Sequence, residues 1–174
     1  MTVLDRQTYP GVAEPAAYQL ARLAAHYDGF DFLEAIRTGQ LPPAPVGELL
    51  GFTIRDVAPG SVTFVMTPEE KHYNPIGMVH GGLVCTLLDT VAGCAAHTTL
   101  DAGVGYTSIE IKVSYLRPVT LSSGTLSAVG TVTKNGRRVI FADGIVLDAA
   151  GHPVASASSS LLVIRPDHES GRPS

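Results

Sequence analysis

The stretch HYNPIGMVHGGLVCTLLDTVAGCAAHTTL, from His72 to Leu100, decides how this chain is read. It opens as a polar, turn-rich loop carrying His72, Asn74, Pro75, Gly77 and His80. It then becomes an apolar segment in which Leu83, Val84, Leu87, Leu88, Val91, Ala92, Ala95 and Ala96 recur at helical spacing. That period predicts a helix over Gly81–Thr99, apolar nearly all round and so buried on every face. Between Lys71 and Glu110 only Asp89 and Asp101 carry a formal charge. Asp101 lies beside Gly103, where a turn holds an acid at little cost. Asp89 falls inside the apolar run, where a carboxylate is expensive unless it is paired or used.

Gly81 and Gly82 open the predicted helix with no side chain of their own over its first free N–H groups, and His80 stands at the entrance. Such a helix start is a backbone anion site at the positive end of a dipole. The one stretch therefore supplies an oxyanion-type donor set and a desolvated acid. At 1.5 Å rise per residue the two are about 12 Å apart along the axis. A catalytic group must work within about 3 Å of the reacting atom. If they cooperate, they come from two subunits related by a twofold axis.

A length of 174 residues fits one domain, or one domain with an appendage, with enough chain to bury a core. With 45% hydrophobic and 16% charged residues the chain is globular rather than disordered. A net charge of −4 and the lack of a Lys/Arg run argue against a nucleic-acid partner. Without a long apolar span or a signal-peptide core at MTVLDRQTYP, the chain reads as soluble and cytoplasmic, with no membrane partner. Cys85 and Cys94 share the predicted helix about 13 Å apart, too far to bridge, and read as free buried thiols facing opposite ways.

Residues 1–45 read as a helical N-terminal extension. A helical stretch starts at Glu14-Pro15, places Leu20, Leu23, Ala24 and Tyr27 at amphipathic spacing, and stops at Asp28-Gly29. A second helix is expected over Phe30–Arg37, then a stiff linker, Leu41–Pro45. The extension packs on the main domain or on a neighbouring subunit. The domain proper spans 46–165, and 166–174 is expected to be a flexible tail. Around Pro59-Gly60 the runs Phe52–Val57 and Ser61–Thr67 alternate as a β-hairpin. After the helix come four strand-like runs, Gly105–Arg117, Thr125–Thr133, Arg137–Leu147 and Pro153–Ile164. Asn135-Gly136 predicts a two-residue hairpin turn. The order is ββαββββ, an α+β layout with one long helix against a mostly antiparallel sheet. A sheet curled around that helix accounts for its apolar surface.

These residues resemble the hotdog-fold thioesterases, in particular the acyl-CoA thioesterases of the phenylacetate-pathway type. The resemblance is carried by HYNPIGMVHGG at His72–Gly82, LLD at Leu87–Asp89, YTSIEIKVSYLRP at Tyr106–Pro118 and KNGRR at Lys134–Arg138. It covers about residues 47–165 in matching order, and the extension lies outside it. It implies a sheet wrapped around the central helix, dimers with one continuous sheet that often pair into tetramers, and active sites at the dimer interface. It also implies that Asp89 is the catalytic carboxylate, as general base on water or as nucleophile, and that the Gly81 N–H polarises the thioester carbonyl. By the same resemblance Asn74 and His80 orient carbonyl or water, and Ser108 contacts the attacking water. Family members differ in where the acid sits, so Glu110 stays open as a contributor.

The substrate implied is acyl-CoA, with an aryl or medium-chain acyl group admitted by the small residues Ala92, Gly93 and Ala96. The chemistry calls for no metal and no cofactor, since CoA belongs to the substrate. Gly82, Arg117, Lys134, Arg137 and Arg138 are the candidate CoA contacts, because an anionic nucleotide favours such donors. His72 is expected at the surface, His26 as an ordinary surface histidine, and His97 as a complement to the helix dipole. Two other readings stay open: a hotdog enoyl-CoA hydratase or dehydratase, and a non-catalytic acyl-CoA-binding protein. The first generally places an acid in the loop beside the histidine, and His72–Val79 contains none.

Overall fold

The computed structural model describes residues 16–166. Three short helices come first: α1 (Ala16–Ala24), α2 (Gly29–Arg37) and α3 (Pro45–Leu50). They are followed by β1 (Phe52–Ala58), β2 (Ser61–Met66), the long helix α4 (Gly81–His97), β3 (Gly105–Tyr115), β4 (Leu126–Asn135), β5 (Val139–Leu147) and β6 (Pro153–Ile164). The six strands form one antiparallel sheet in the order β1-β2-β4-β5-β6-β3. The expected ββαββββ order is present, and the sheet wraps α4 as a hotdog fold. The expected helix start at Glu14-Pro15 and most of the expected tail lie outside the described residues.

Alternation fixes which sheet face meets the helix. Along β5, Ile140, Ala142, Gly144 and Val146 point inward while Phe141, Asp143 and Ile145 point out. Opposite them Leu87, Leu88, Val91, Ala92, Ala95 and Ala96 of α4 are fully buried. Close seating of the helix depends on two glycines. A Cβ at Gly130 of β4 would fall 2.0 Å from the Val91 carbonyl oxygen, and one at Gly144 of β5 would fall 3.0 Å from Leu88 Cδ2.

The extension packs on its own domain. Asp28 caps α2 by accepting the Asp31 N–H at 2.8 Å. The helix start then sits against the end of α4, with the Gly29 N–H donating to the Leu100 carbonyl at 2.9 Å. A side chain at Gly29 would collide with the His97 carbonyl. Leu20, Phe32, Leu33, Ala35 and Leu41 form a small core that meets Ile54, Val57 and Cys94. At the other margin β3 is an edge strand of 11 residues whose outer edge pairs with no strand of the described chain.

Two local expectations change. Three residues, 136–138, rather than two connect β4 to β5, and Asn135 pairs with Ile140. Gly136 stays out of the left-handed region, and a bulge between Val132 and Lys134 shifts the register ahead of the turn. The helix is also not buried all round: Cys85, Thr86, Asp89 and Thr90 form a half-exposed stripe beside β3. The apolar run has no period at Asp89 that marks this stripe, because it is left open by the sheet ending at β3.

Candidate active site

The loop before α4 is rigid because its own polar groups hold it. Asn74 Oδ1 accepts the N–H groups of Ile76 (3.1 Å) and Met78 (3.3 Å), while the Asn74 N–H donates to the Met78 carbonyl at 2.8 Å. Gly77 completes the turn at φ +83. Asn74 thus shapes the loop with its oxygen, and its side-chain amide N–H groups have no partner among the described residues. His72 is buried at 4% exposure, contrary to its expected place at the surface. Its Nδ1 accepts the Glu69 N–H at 2.9 Å, and its Nε2 has no partner. Burial first, then Lys71, pushes its pKa below the usual histidine value.

His80 is exposed and is the N-cap of α4, its Nδ1 accepting the Gly82 N–H at 2.9 Å. A side chain therefore does cover one of the first N–H groups, and Gly82 has only its outer surface to offer a ligand. The Leu83 N–H returns to the His80 carbonyl. The Gly81 N–H is left with no acceptor among the described residues, at the positive end of a 17-residue helix. With Nδ1 occupied, the neutral His80 ring carries its proton on Nε2 and offers a donor at the same entrance.

Tyr115 completes this entrance, a role that no local pattern marks. Its hydroxyl donates to the Gly81 carbonyl at 2.9 Å, across 34 residues of chain. A Cβ at Gly81 would approach the Tyr115 ring to 3.2 Å, so the glycine is what lets the ring lie there. Nothing in its strand run separates Tyr115 from its neighbours; only the packing of β3 on the helix start selects it.

Two turns along α4, Asp89 is half-exposed and Oδ1 accepts the Ser108 hydroxyl at 2.7 Å. That bond fixes the carboxylate rotamer and leaves Oδ2 open to a hollow of about 370 Å³ shared with Cys85, Thr86 and Ile109. Asp89 and Ser108 are thus brought together within one chain, while Gly81 lies eight residues, about 12 Å, away on the same helix. A bulge after Ser108 keeps Ser108 and Ile111 on the helix side, opposite Leu161 and Ser159, and sets Glu110 opposite Ser160. The Glu110 carboxylate accepts the Ser160 hydroxyl at 3.2 Å, and Glu110 also lines the hollow that holds Asp89.

The candidate cations do not form one group. Arg117 is at the entrance end: Val119, two residues on, accepts the Val79 N–H, and Arg117 Nη1 donates to the Pro153 carbonyl at 2.7 Å. Lys134, Arg137 and Arg138 are at the other end of α4. There the Val132 N–H donates to Gly60, whose own N–H donates to the C-capping Thr98 hydroxyl. Lys134 lies over the Phe141 ring on the outer face. Among the described residues none of the four makes an ion pair, and no three His, Cys, Asp or Glu side chains cluster to hold a metal. No described helix is long and apolar enough to cross a membrane.

Beyond Asp89 the predicted room at Ala92, Gly93 and Ala96 is filled. All three are buried, and the Tyr106 ring packs on Gly93 closely enough to exclude a Cβ. His97 lies between the rings of Phe32 (5.6 Å) and Tyr106 (5.5 Å). Burial pushes its pKa down, so it is neutral at pH 7 and does not complement the helix dipole as a cation. Both cysteines are free, and burial pushes the Cys94 thiol up to about 12.

Residues 76–155 match the family model of the thioesterase superfamily. A Halobacterium salinarum protein named as a candidate esterase is 33% identical over 129 residues, covering 68% of this chain and 83% of that protein. The chain belongs to the thioesterase superfamily. Within that superfamily it is 34% identical over 89 residues to acyl-coenzyme A thioesterase 13 of Homo sapiens, covering 51% of this chain and 62% of that relative's length. A solved structure from Ralstonia eutropha, described as a candidate thioesterase related to phenylacetic acid degradation, superposes with a TM-score of 0.69 at 27% identity. It covers 75% of this chain and 98% of its own. The thioesterase-superfamily match spans the helix entrance, Asp89 and Ser108, and leaves the N-terminal helices outside.

Proposed function

We propose that this protein hydrolyses acyl-CoA thioesters as a homodimer, with each site built from the α4 entrance of one subunit and Asp89 of the other. The observation that carries this reading is the pair of half-sites on one helix: an unpaired Gly81 N–H at its start and a Ser108-held carboxylate about 12 Å along. Neither completes a hydrolytic site alone. The free edge of β3, with Ile109 56% exposed, offers the surface on which two copies pair strand to strand. The relatives named as acyl-CoA thioesterases support the substrate class.

In this reading the thioester carbonyl oxygen points at the Gly81 N–H, with the Nε2–H of His80 and the Asn74 amide beside it. Asp89 Oδ2 takes a proton from water as the water oxygen bonds to the carbonyl carbon. Ser108 keeps the carboxylate turned toward that water. The tetrahedral intermediate places its charge at the helix N-terminus, where one preorganised donor is worth about 3–4 kcal/mol. Collapse breaks the C–S bond, and the leaving CoA thiolate takes up the proton held on Asp89 Oδ2, which restores the carboxylate. Arg117, at the entrance end, is placed for the CoA phosphates.

The test is thiol release from acyl-CoA by wild type, Asp89→Asn and Ser108→Ala, with the mass of each in solution. Asp89→Asn is expected to lose activity by about 10²–10⁴-fold while remaining folded and dimeric. Ser108→Ala should lose less, since it only orients the acid. Equal rates for wild type and Asp89→Asn, or a fully active monomer, overturn the proposal. Consumption of enoyl-CoA without thiol release would favour a hydratase.

A further inference from the structure

Past the Asp89 hollow, with which it shares no lining residue, α4 borders another cavity. The next turn of the same helix stripe opens into a second, larger hollow of about 1230 Å³. Thr90, Cys94 and His97 of α4 and Tyr106 of β3 form one wall, and Ala21 and Ile36 of the N-terminal helices face them. Its two charged lining side chains, Arg37 and Arg165, are both exposed, and Arg37 is bound to Glu34. The His97 ring sits tilted between Phe32 and Tyr106, and Tyr106 and Cys94 line the same wall. With His97 and Cys94 both neutral at pH 7, this wall carries no charge to desolvate.

We infer that the second hollow takes the alkyl chain of a medium- to long-chain linear acyl-CoA, and that the N-terminal helices are the specificity element of the enzyme. The inference rests on the acyl-CoA reading above. Thr90 lines this hollow and follows Asp89 directly on α4, so the two hollows are neighbours along the helix. A volume above the ~300–1000 Å³ of an ordinary small-molecule pocket is more than an aryl group needs. Filling it with methylenes uses an apolar wall that a polar acyl group would waste.

The experiment is a chain-length series, acetyl-, octanoyl- and dodecanoyl-CoA, on full-length wild type, Ala21→Trp and Thr53→Phe. Ala21 and Thr53 both line the hollow, away from Asp89, and melting temperatures establish that each variant is folded. For wild type, kcat/KM should rise with length by up to about fourfold per buried methylene. Each folded variant should lose at least tenfold on dodecanoyl-CoA and stay within twofold of wild type on acetyl-CoA. Calorimetric binding of the non-hydrolysable S-dodecyl-CoA and S-ethyl-CoA runs in parallel. Tighter S-dodecyl-CoA binding, weakened by the variants, with no thiol release sinks the hydrolytic reading and keeps the hollow's role. Hydrolysis with no length preference, or with one that neither folded variant alters, overturns the inference and leaves hydrolysis standing.

Discussion

Replacing Gly130 with alanine tests whether the seating of α4 on the sheet sets the geometry of the site. The added Cβ would stand 2.0 Å from the Val91 carbonyl oxygen and 2.4 Å from its carbonyl carbon. Both are helix backbone and cannot rotate aside. Ordinary contact lies near 3.5 Å, so helix and strand must separate by about 1 Å or more. Overpacking of this kind costs about 1–3 kcal/mol, and with rigid partners the upper part of that range applies. Removing a strand glycine returns about 0.5–1 kcal/mol of backbone entropy. The net loss is then about 2 kcal/mol, or about 4–8 °C in melting temperature for a chain of this size. Gly144→Ala is the matched control, because its Cβ meets the Leu88 Cδ2 methyl at 3.0 Å, the end of a side chain that can turn. It should change stability by less than about 1 kcal/mol. Val91 lies two residues from Asp89, so Gly130→Ala should also disturb the 2.7 Å Ser108–Asp89 bond. A displacement of about 1 Å can cost 10²-fold in rate. Thermal melts and thiol release on both variants check this. Gly130→Ala melting with wild type, or Gly144→Ala proving the worse of the two, would refute the seating argument.

Arg117→Ala should raise KM for acyl-CoA by about tenfold or more, the size of one charged hydrogen bond to phosphate, while the triple variant Lys134→Ala/Arg137→Ala/Arg138→Ala shifts it by less than twofold. Steady-state kinetics separate the two, and equal effects would return the hairpin tip to the CoA site. Stability should fall on acidification because His72 and His97 have pKa values held below the unfolded value by burial. Their contribution is complete above pH about 6.5 and is lost as the unfolded histidines protonate below it, at up to about 1.4 kcal/mol per pH unit per group. Denaturant melts from pH 7.5 to 5 should show this slope, and His97→Phe should flatten it; an unchanged slope in that variant would remove His97 from the account.

Local periodicity was enough for much of this protein. The run from Leu83 to Ala96, the strand alternations and the turn at Pro59-Gly60 depend on neighbours within a few residues, and each element formed where its pattern lies. Gly81 and Asp89 stood out because their chemistry is unusual for where they fall along the chain, whereas roles for Asn74, His80 and Ser108 came only from the family resemblance. What needed tertiary structure was every question of which face points where. Ser108 and Glu110 differ by two positions, yet with a bulge between them one donates to Asp89 and the other accepts from Ser160. Tyr115 reaches Gly81, and Tyr106 occupies the space beside Gly93, across separations that no local period encodes. His72 carries the same side chain as exposed His26, and only the folding of the loop over it decides that it is buried. The elements and the two unusual reactive groups could be read locally, because propensity and desolvation cost are properties of short segments. The open stripe along α4, the hollow beneath the N-terminal helices and the separation of Arg117 from the hairpin cations were decided by tertiary packing, which brings together residues that share no local pattern.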